Sequence, residues 1–218
     1  MLFNIFDLGL VNFQKAEQFQ KEVFKAVKNN FLKSALILCQ HYPVITLGRQ
    51  AKKLNIKASG EELKRRGIPL YEIERGGDVT YHGPGQLVVY PIFNLDYFKR
   101  DIHLFLRRLE ELAMQVLSDF GIFSQSQPGL TGVWVENKKI ASIGIAIRNW
   151  ITYYGLAINI KRDDLSNFSL IRPCGMDIMM TSLESVLGEE VSVDSVKEIL
   201  IRRLQNDQSS LAGIRRGY

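Results

Sequence analysis

Ala16, Phe19, Val23 and Val27 recur at helical spacing within residues 13–28, and the polar pair Asn29-Asn30 follows where a helix would stop. That pattern predicts a surface helix with one apolar face. The brief apolar runs at 35–39 and 44–47, bounded by polar residues or proline, predict strands. Ser59 with Glu62 three residues on forms a capping box, and Gly67 closes a short helix after Lys64-Arg65-Arg66. The longest helix is predicted over 101–120, with Phe105, Leu109, Leu112, Val116 and Phe120 on one face and Gly121 as the stop. Such a face needs a sheet to lie on.

From residue 132 the period changes. Strands are predicted at 133–135, 140–147 and 151–160, separated by a polar turn at 136–138 and another near Asn149, which reads as an antiparallel meander. Thr181 and Glu184 form a second capping box for a helix ended by Gly188. Val196, Ile199 and Leu200 mark a last helix before a polar, basic tail. Helices and strands mix without βαβ alternation, so the predicted class is α+β.

Composition narrows this little. With 218 residues and 46% hydrophobic content the chain can bury one core, and a single domain over 1–218 is expected. No apolar run approaches the roughly 18 residues that span a bilayer, and the opening has no basic leader and carries Asp7. No membrane association and a cytoplasmic location are therefore expected. The net charge is +5, and Arg49, Lys52, Lys53, Lys57, Lys64, Arg65 and Arg66 crowd one stretch. They are solvated loop and helix faces or a landing site for an acidic partner; no nucleic-acid motif accompanies them.

The densest chemistry is at Arg75–Gln86, with four glycines in twelve positions among Arg75, Asp78, Thr80, Tyr81 and His82. Glycines let a backbone approach a ligand, and the polar side chains supply donors; a tight structural turn is the alternative. Neither G-x-x-x-x-G-K-[ST] nor G-x-G-x-x-G is present, so a phosphate loop is not indicated. Of the two cysteines, Cys39 sits in an apolar run and reads as a buried free thiol. Cys174, between Pro173 and Gly175, reads as a side chain presented at a turn: an acyl-transfer nucleophile or a structural turn cysteine. Metal-ligand spacing is lacking, so no metal is expected. Lys139 opens a strand in which Ser142 and Gly144 alternate, matched by Gly155 and Ala157 on the next; these small residues leave a slot for an alkyl chain or bring backbones close.

Taken together, RGGDVTYHGPGQLVVYPI (75–92), TGVWVENKKIASIGIAI (131–147), YGLAINI (154–160), PCGM (173–176) and TSL (181–183) resemble the octanoyl-carrier-protein:protein octanoyltransferases of lipoate biosynthesis. The resemblance covers most of 36–188. It implies the fold of lipoate and biotin protein ligases, a central mixed, largely antiparallel sheet flanked by helices. It also implies that Cys174 is the acyl-thioester nucleophile and Lys139 the lysine that tunes it. Arg75, Gly76, Gly77, Asp78, Val79, Thr80, Tyr81 and His82, with Ser142, Ile143, Gly144, Gly155, Leu156 and Ala157, would line the acyl site. The implied donor is acyl carrier protein; the implied acceptors are lipoyl domains of 2-oxoacid dehydrogenase E2 subunits and glycine cleavage H protein; no cofactor is implied. One departure is Tyr154-Gly155, where the family usually has His-Gly.

A free cysteine titrates near ~8.5 and a lysine near ~10.4, so a proton passing from Cys174 to Lys139 goes downhill. Three rivals stand beside this reading. An ATP-dependent lipoate ligase would not need the cysteine, an amidotransferase between lipoyl domains would use the same covalent logic, and a non-catalytic acyl- or lipoyl-domain-binding module would use neither.

Overall fold

The computed structural model describes residues 3–206, with only the backbone of Cys174. The basic tail predicted after the last helix lies outside the described residues. Among the described residues, ten strands and five α-helices form a mixed α+β fold. The strands are β1 (Asn4–Val11), β2 (Ser34–His41), β3 (Val44–Leu47), β4 (Leu70–Glu72), β5 (Val79–His82), β6 (Gln86–Phe93), β7 (Gln125–Gln127), β8 (Leu130–Val135), β9 (Lys138–Arg148) and β10 (Ile151–Asn159). The helices are α1 (Phe13–Lys28), α2 (Gly60–Arg65), α3 (Ile102–Ser118), α4 (Leu183–Leu187) and α5 (Val193–Asn206). Seven strands make the large sheet, in the order β1-β2-β6-β10-β9-β8-β7, and β4-β3-β5 make a small one. Pairing is antiparallel except for β1 with β2 and β3 with β4.

The helices cover the large sheet from both sides, so its central strands are buried on both faces and lose strict alternation in sequence. Leu36, Leu38, Leu87, Val89, Leu156 and Ile158 face α3 and α5, while Ala35, Ile37, Val88, Tyr90 and Ala157 face α1. α1 presents Phe13, Ala16, Val23 and Val27 to that second cluster, and full burial of a valine or phenylalanine stabilises by about 1.5–3 kcal/mol.

The cap of α4 differs from the sequence reading. The second cap is at Ser182, whose hydroxyl accepts from Ser185 N at 3.2 Å. Thr181 instead donates its N–H to Lys139 O. Glu184 does not close a capping box: it pairs with Lys161 at 2.8 Å and accepts from Arg162 N and Val191 N. Those donors hold its pKa down at about 2. β6 escapes the pattern because Pro91 interrupts a run that is otherwise all buried.

Candidate active site

Lys139 enters the site because its strand carries a bulge. Trp134 pairs with Lys139 and Val133 with Ala141, so β9 has one residue more than β8 between them. Ile140 and Ala141 both pack into the α3-side core. Lys139 and Ser142, flanking them, therefore share the opposite face. Lys139 is only 8% exposed; its Nζ donates to Thr131 O at 2.9 Å and lies 4.9 Å from the centre of the Trp134 ring. Gly132 makes room for it. A β-carbon there would stand 2.4 Å from Lys139 Cε, and the Gly132 N–H is fixed by Glu110, a buried carboxylate of α3, at 2.9 Å. Neither Gly132 nor Glu110 was singled out from sequence, although Gly132 stands within the TGVW stretch.

The segment that follows the Cys174 turn meets Lys139 through the backbone. Pro173–Gly175 is a 3-10 turn, with Gly175 at φ 66°. Downstream, Met180 bridges Lys139 in parallel fashion: Lys139 N donates to Met179 O at 2.8 Å and Thr181 N to Lys139 O at 2.9 Å. Upstream, Arg172 N donates to Asn55 O at 2.7 Å. Asn55 is buried and its amide donates to the Asp78 carboxylate. The Cys174 side chain lies outside the described residues. Cys39 is 1% exposed, 3.6 Å from His41 Nε2, and burial raises its thiol far above the ordinary value. It is chemically quiet.

A small cavity opens on the α1 face beyond Ser142. From the glycine-rich segment it takes Arg75, Thr80 and His82; from β9, Ser142, Ile143 and Gly144; from β10, Gly155, Leu156 and Ala157. Phe13, Ile73, Val88, Tyr90 and Tyr154 complete the wall and were not expected there. Gly76, Gly77, Asp78, Val79 and Tyr81 are not among the residues that line it. β5 alternates, so Val79 and Tyr81 point into the core of the small sheet. Tyr81 also donates its hydroxyl to Asp164 at 3.2 Å. Asp78 accepts from Lys52 N and Asn55, bracing the turn side. Gly76 donates its N–H to Ile145 O at 2.8 Å, and Gly77 takes φ 83°.

The small residues bring backbones close as well as bordering space. A β-carbon at Gly155 would lie 2.3 Å from Val89 O, and one at Gly144 would lie 3.0 Å from Gly76 O. Gly48, unremarked in the sequence, does the same under Arg75: its β-carbon would meet Gly77 O at 2.3 Å. Arg75 is thereby held with one guanidinium nitrogen on Thr46 O and Oγ1 and the other on Gly76 O.

Two neutral histidines stiffen the wall. Gln86 uses its amide nitrogen on Tyr81 O, so its carbonyl receives the His82 Nδ1 proton at 2.9 Å. His41 Nδ1 donates to Val11 O, which leaves Nε2 to accept from the Tyr90 hydroxyl at 2.7 Å. Burial pushes His41 down to about 4 and, with the neighbouring His41, His82 to about 3.

A family model described as the lipoyl protein ligase A/B catalytic domain matches residues 12–205. The chain belongs to this family. Among curated relatives, an octanoyltransferase of Caldicellulosiruptor saccharolyticus is 45% identical over 199 residues, covering 90% of this chain and 84% of its own. One from Thermoanaerobacter sp. is 42% identical over 199 residues, covering 90% and 86%. Among solved structures, a lipoate-protein ligase A bound with ATP superposes with a TM-score of 0.74 at 18% identity, covering 94% of this chain and 85% of that one. Ta0514 of T. acidophilum, a putative lipoate protein ligase with bound lipoic acid, gives 0.73 at 18%, covering 94% and 86%. Biotin protein ligase of Aquifex aeolicus shares the fold more distantly, at 0.54 and 12%, covering 98% and 72%. At these identities the solved structures establish the fold, an α+β domain of the ligase type.

Proposed function

We propose that this octanoyltransferase works through a thioester on Cys174, with acyl carrier protein as donor and a lysine of a lipoyl domain as acceptor. The observation that carries the proposal is the backbone bridge between Lys139 and Met180, which ties a buried lysine to the segment that follows Cys174, three residues along β9 from Ser142 in the cavity wall. The reading draws its substrate from the relatives named octanoyltransferase. Lipoyl domains of 2-oxoacid dehydrogenase E2 subunits and glycine cleavage H protein are the proposed acceptors. A cytoplasmic setting is proposed with them; no helix among the described residues is long and apolar enough to cross a membrane.

In the first half, Lys139 takes the Cys174 proton, the thiolate attacks the octanoyl carbonyl, and the carrier's departing sulfur takes that proton from Lys139 and leaves as a thiol, so the lysine is neutral again. Backbone N–H groups of the Cys174 turn or the glycine-rich segment hold the oxyanion. In the second half, the acceptor amine attacks the Cys174 thioester, the cysteine leaves as thiolate, and the amine's surplus proton passes to Lys139. Burial of Lys139 serves this step, since a drier site makes the neutral amine accessible. The alkyl chain occupies the cavity lined by Ser142, Gly144, Gly155 and Ala157.

Intact-mass measurement after incubation with octanoyl-carrier protein, without nucleotide, tests the reading. A single hydroxylamine-labile octanoyl adduct is expected on wild type and on Cys39→Ser, and none on Cys174→Ser. Transfer that needs ATP and survives in Cys174→Ser would replace it with the ligase reading.

A further inference from the structure

Two spaces meet at one side chain. Behind the acyl cavity lies a larger groove between α1 and the β9–β10 hairpin, bordered by Phe24, Lys25, Arg148 and Tyr153. Tyr154 and Ile73 border both spaces. The Tyr154 ring packs edge-on against Tyr90 in the cavity wall, with centroids 6.4 Å apart. Its hydroxyl donates at 2.9 Å to Glu17 Oε1 of α1, which borders the groove. With 4% exposure, the residue stands between the two.

Its placement breaks the strand's own rule. Tyr154 pairs with Ile145 and would by alternation face the α3 side, where Ile145 packs; instead it lies in the α1-side cluster with Tyr153. A φ of 57°, rare for a bulky residue, turns it there, and Gln20 Oε1 holds its N–H at 3.0 Å. It also stands at the end of the cavity away from Lys139. The Ser142–Ala157 pair comes first along β9 and the Ile145–Tyr154 pair three residues further, a run of about 10 Å.

We propose that Tyr154 is the end wall of the acyl slot and the specificity residue that sets chain length, the groove being where a longer chain would continue. The proposal rests on the acyl-transfer reading above. Glycine suits the positive φ, so Tyr154→Gly removes the ring without backbone strain. Ile73→Ala opens the same partition from the other side.

The test is the ratio of kcat/KM for dodecanoyl- and tetradecanoyl-carrier protein to that for octanoyl-carrier protein. A single methylene in an apolar pocket discriminates roughly tenfold or more, so both variants should raise the ratio by at least about tenfold. Tyr154→Phe, which loses the Glu17 bond but keeps the ring, should keep the wild-type ratio. An unchanged ratio in folded Tyr154→Gly and Ile73→Ala overturns the proposal; if Tyr154→Gly fails to fold, Ile73→Ala decides alone. A wild type that already passes tetradecanoyl as fast as octanoyl overturns it too. A wild type that passes no acyl group from carrier protein overturns the transferase reading instead. In that event, native mass spectrometry of free fatty acids bound to wild type and the two variants tests the wall alone: the variants should gain tetradecanoic acid that wild type excludes, and equal binding by all three overturns it.

Discussion

Lys139 can lie where it does only because residue 132 has no side chain: a β-carbon on Gly132 would stand 2.4 Å from Lys139 Cε and 3.0 Å from its Nζ. The φ of 139° adds strain for any other residue. Gly132→Ala should therefore push the amine aside. Since a displacement of about 1 Å can cost about a hundredfold in rate, single-turnover octanoyl transfer is expected to fall by ten- to a hundredfold while the protein stays folded. An unaltered rate in a variant of normal thermal stability would separate the amine's position from catalysis.

Replacing Lys139 addresses the charge directly. In Lys139→Ala the Cys174 pKa should rise toward or above its free value, so iodoacetamide modification slows near neutral pH and recovers as pH is raised. One unit corresponds to about 1.4 kcal/mol between protonation states. Lys139→Arg keeps the charge but stays protonated and cannot take the acceptor amine's proton, so it should still acquire the acyl group, the carrier's sulfur leaving as a thiolate, and fail to pass it on. A wild-type alkylation profile and transfer rate in Lys139→Ala would remove the dyad.

All seven basic residues from Arg49 to Arg66 are exposed, and the stretch adjoins the Cys174 turn through the Arg172–Asn55 backbone bond and the Lys57–Asp177 ion pair at 3.5 Å. The acidic carrier is expected to dock there. Because the Debye length is about 8 Å in physiological salt, its affinity should weaken as salt rises, and weaken further when Lys52, Lys53 and Lys57 become Glu. Affinity indifferent to both would move the docking surface elsewhere.

The buried histidines predict loss of stability in mild acid. His41 and His82 are depressed from 6.5 to about 4 and about 3, so the unfolded chain takes up protons that the folded one refuses. Their cost is absent above about pH 6.5 and grows as pH falls toward the folded values, by up to about 1.4 kcal/mol per pH unit for each. Urea unfolding at pH 7.5, 6.5 and 5.5 should give midpoints falling below pH 6.5, a window above the range where Glu184 protonates. A flat midpoint would mean that one or both rings are charged in the fold.

The helices were legible because their signals are local. Ser59 does cap α2, accepting from Glu62 N at 3.1 Å, and α1 begins and ends where its apolar spacing and Asn29 place it. The meander 133–160 was legible as well, since its strands alternate or carry polar turns. What the sequence could not display is the consequence of pairing. The bulge at Ile140 exists only in the register of β9 against β8. The clearances that require Gly48, Gly132 and Gly155 are set by atoms from 7 to 66 positions away. Thr80 and His82 separate from Val79 and Tyr81 only once β5 has a sheet on which to alternate. β1 stayed hidden because its burial is shallow and its apolar and polar positions follow no clean period.

Asp164 gives the site a place in time as well as space. Its carboxylate receives the Gly85 N–H and the Tyr81 hydroxyl, and Ile145 O receives Gly76 N, so the glycine-rich segment is pinned by residues made long after it. On the ribosome, residues 75–86 emerge well ahead of these partners, and Asn55 must wait for Arg172. At about 5–20 residues per second, the nascent chain carries an unfinished site for several seconds. On the proposed reading octanoyl capture therefore waits for the last third of the polypeptide, and a fragment ending before β10 would lack one wall of the cavity as well as Cys174.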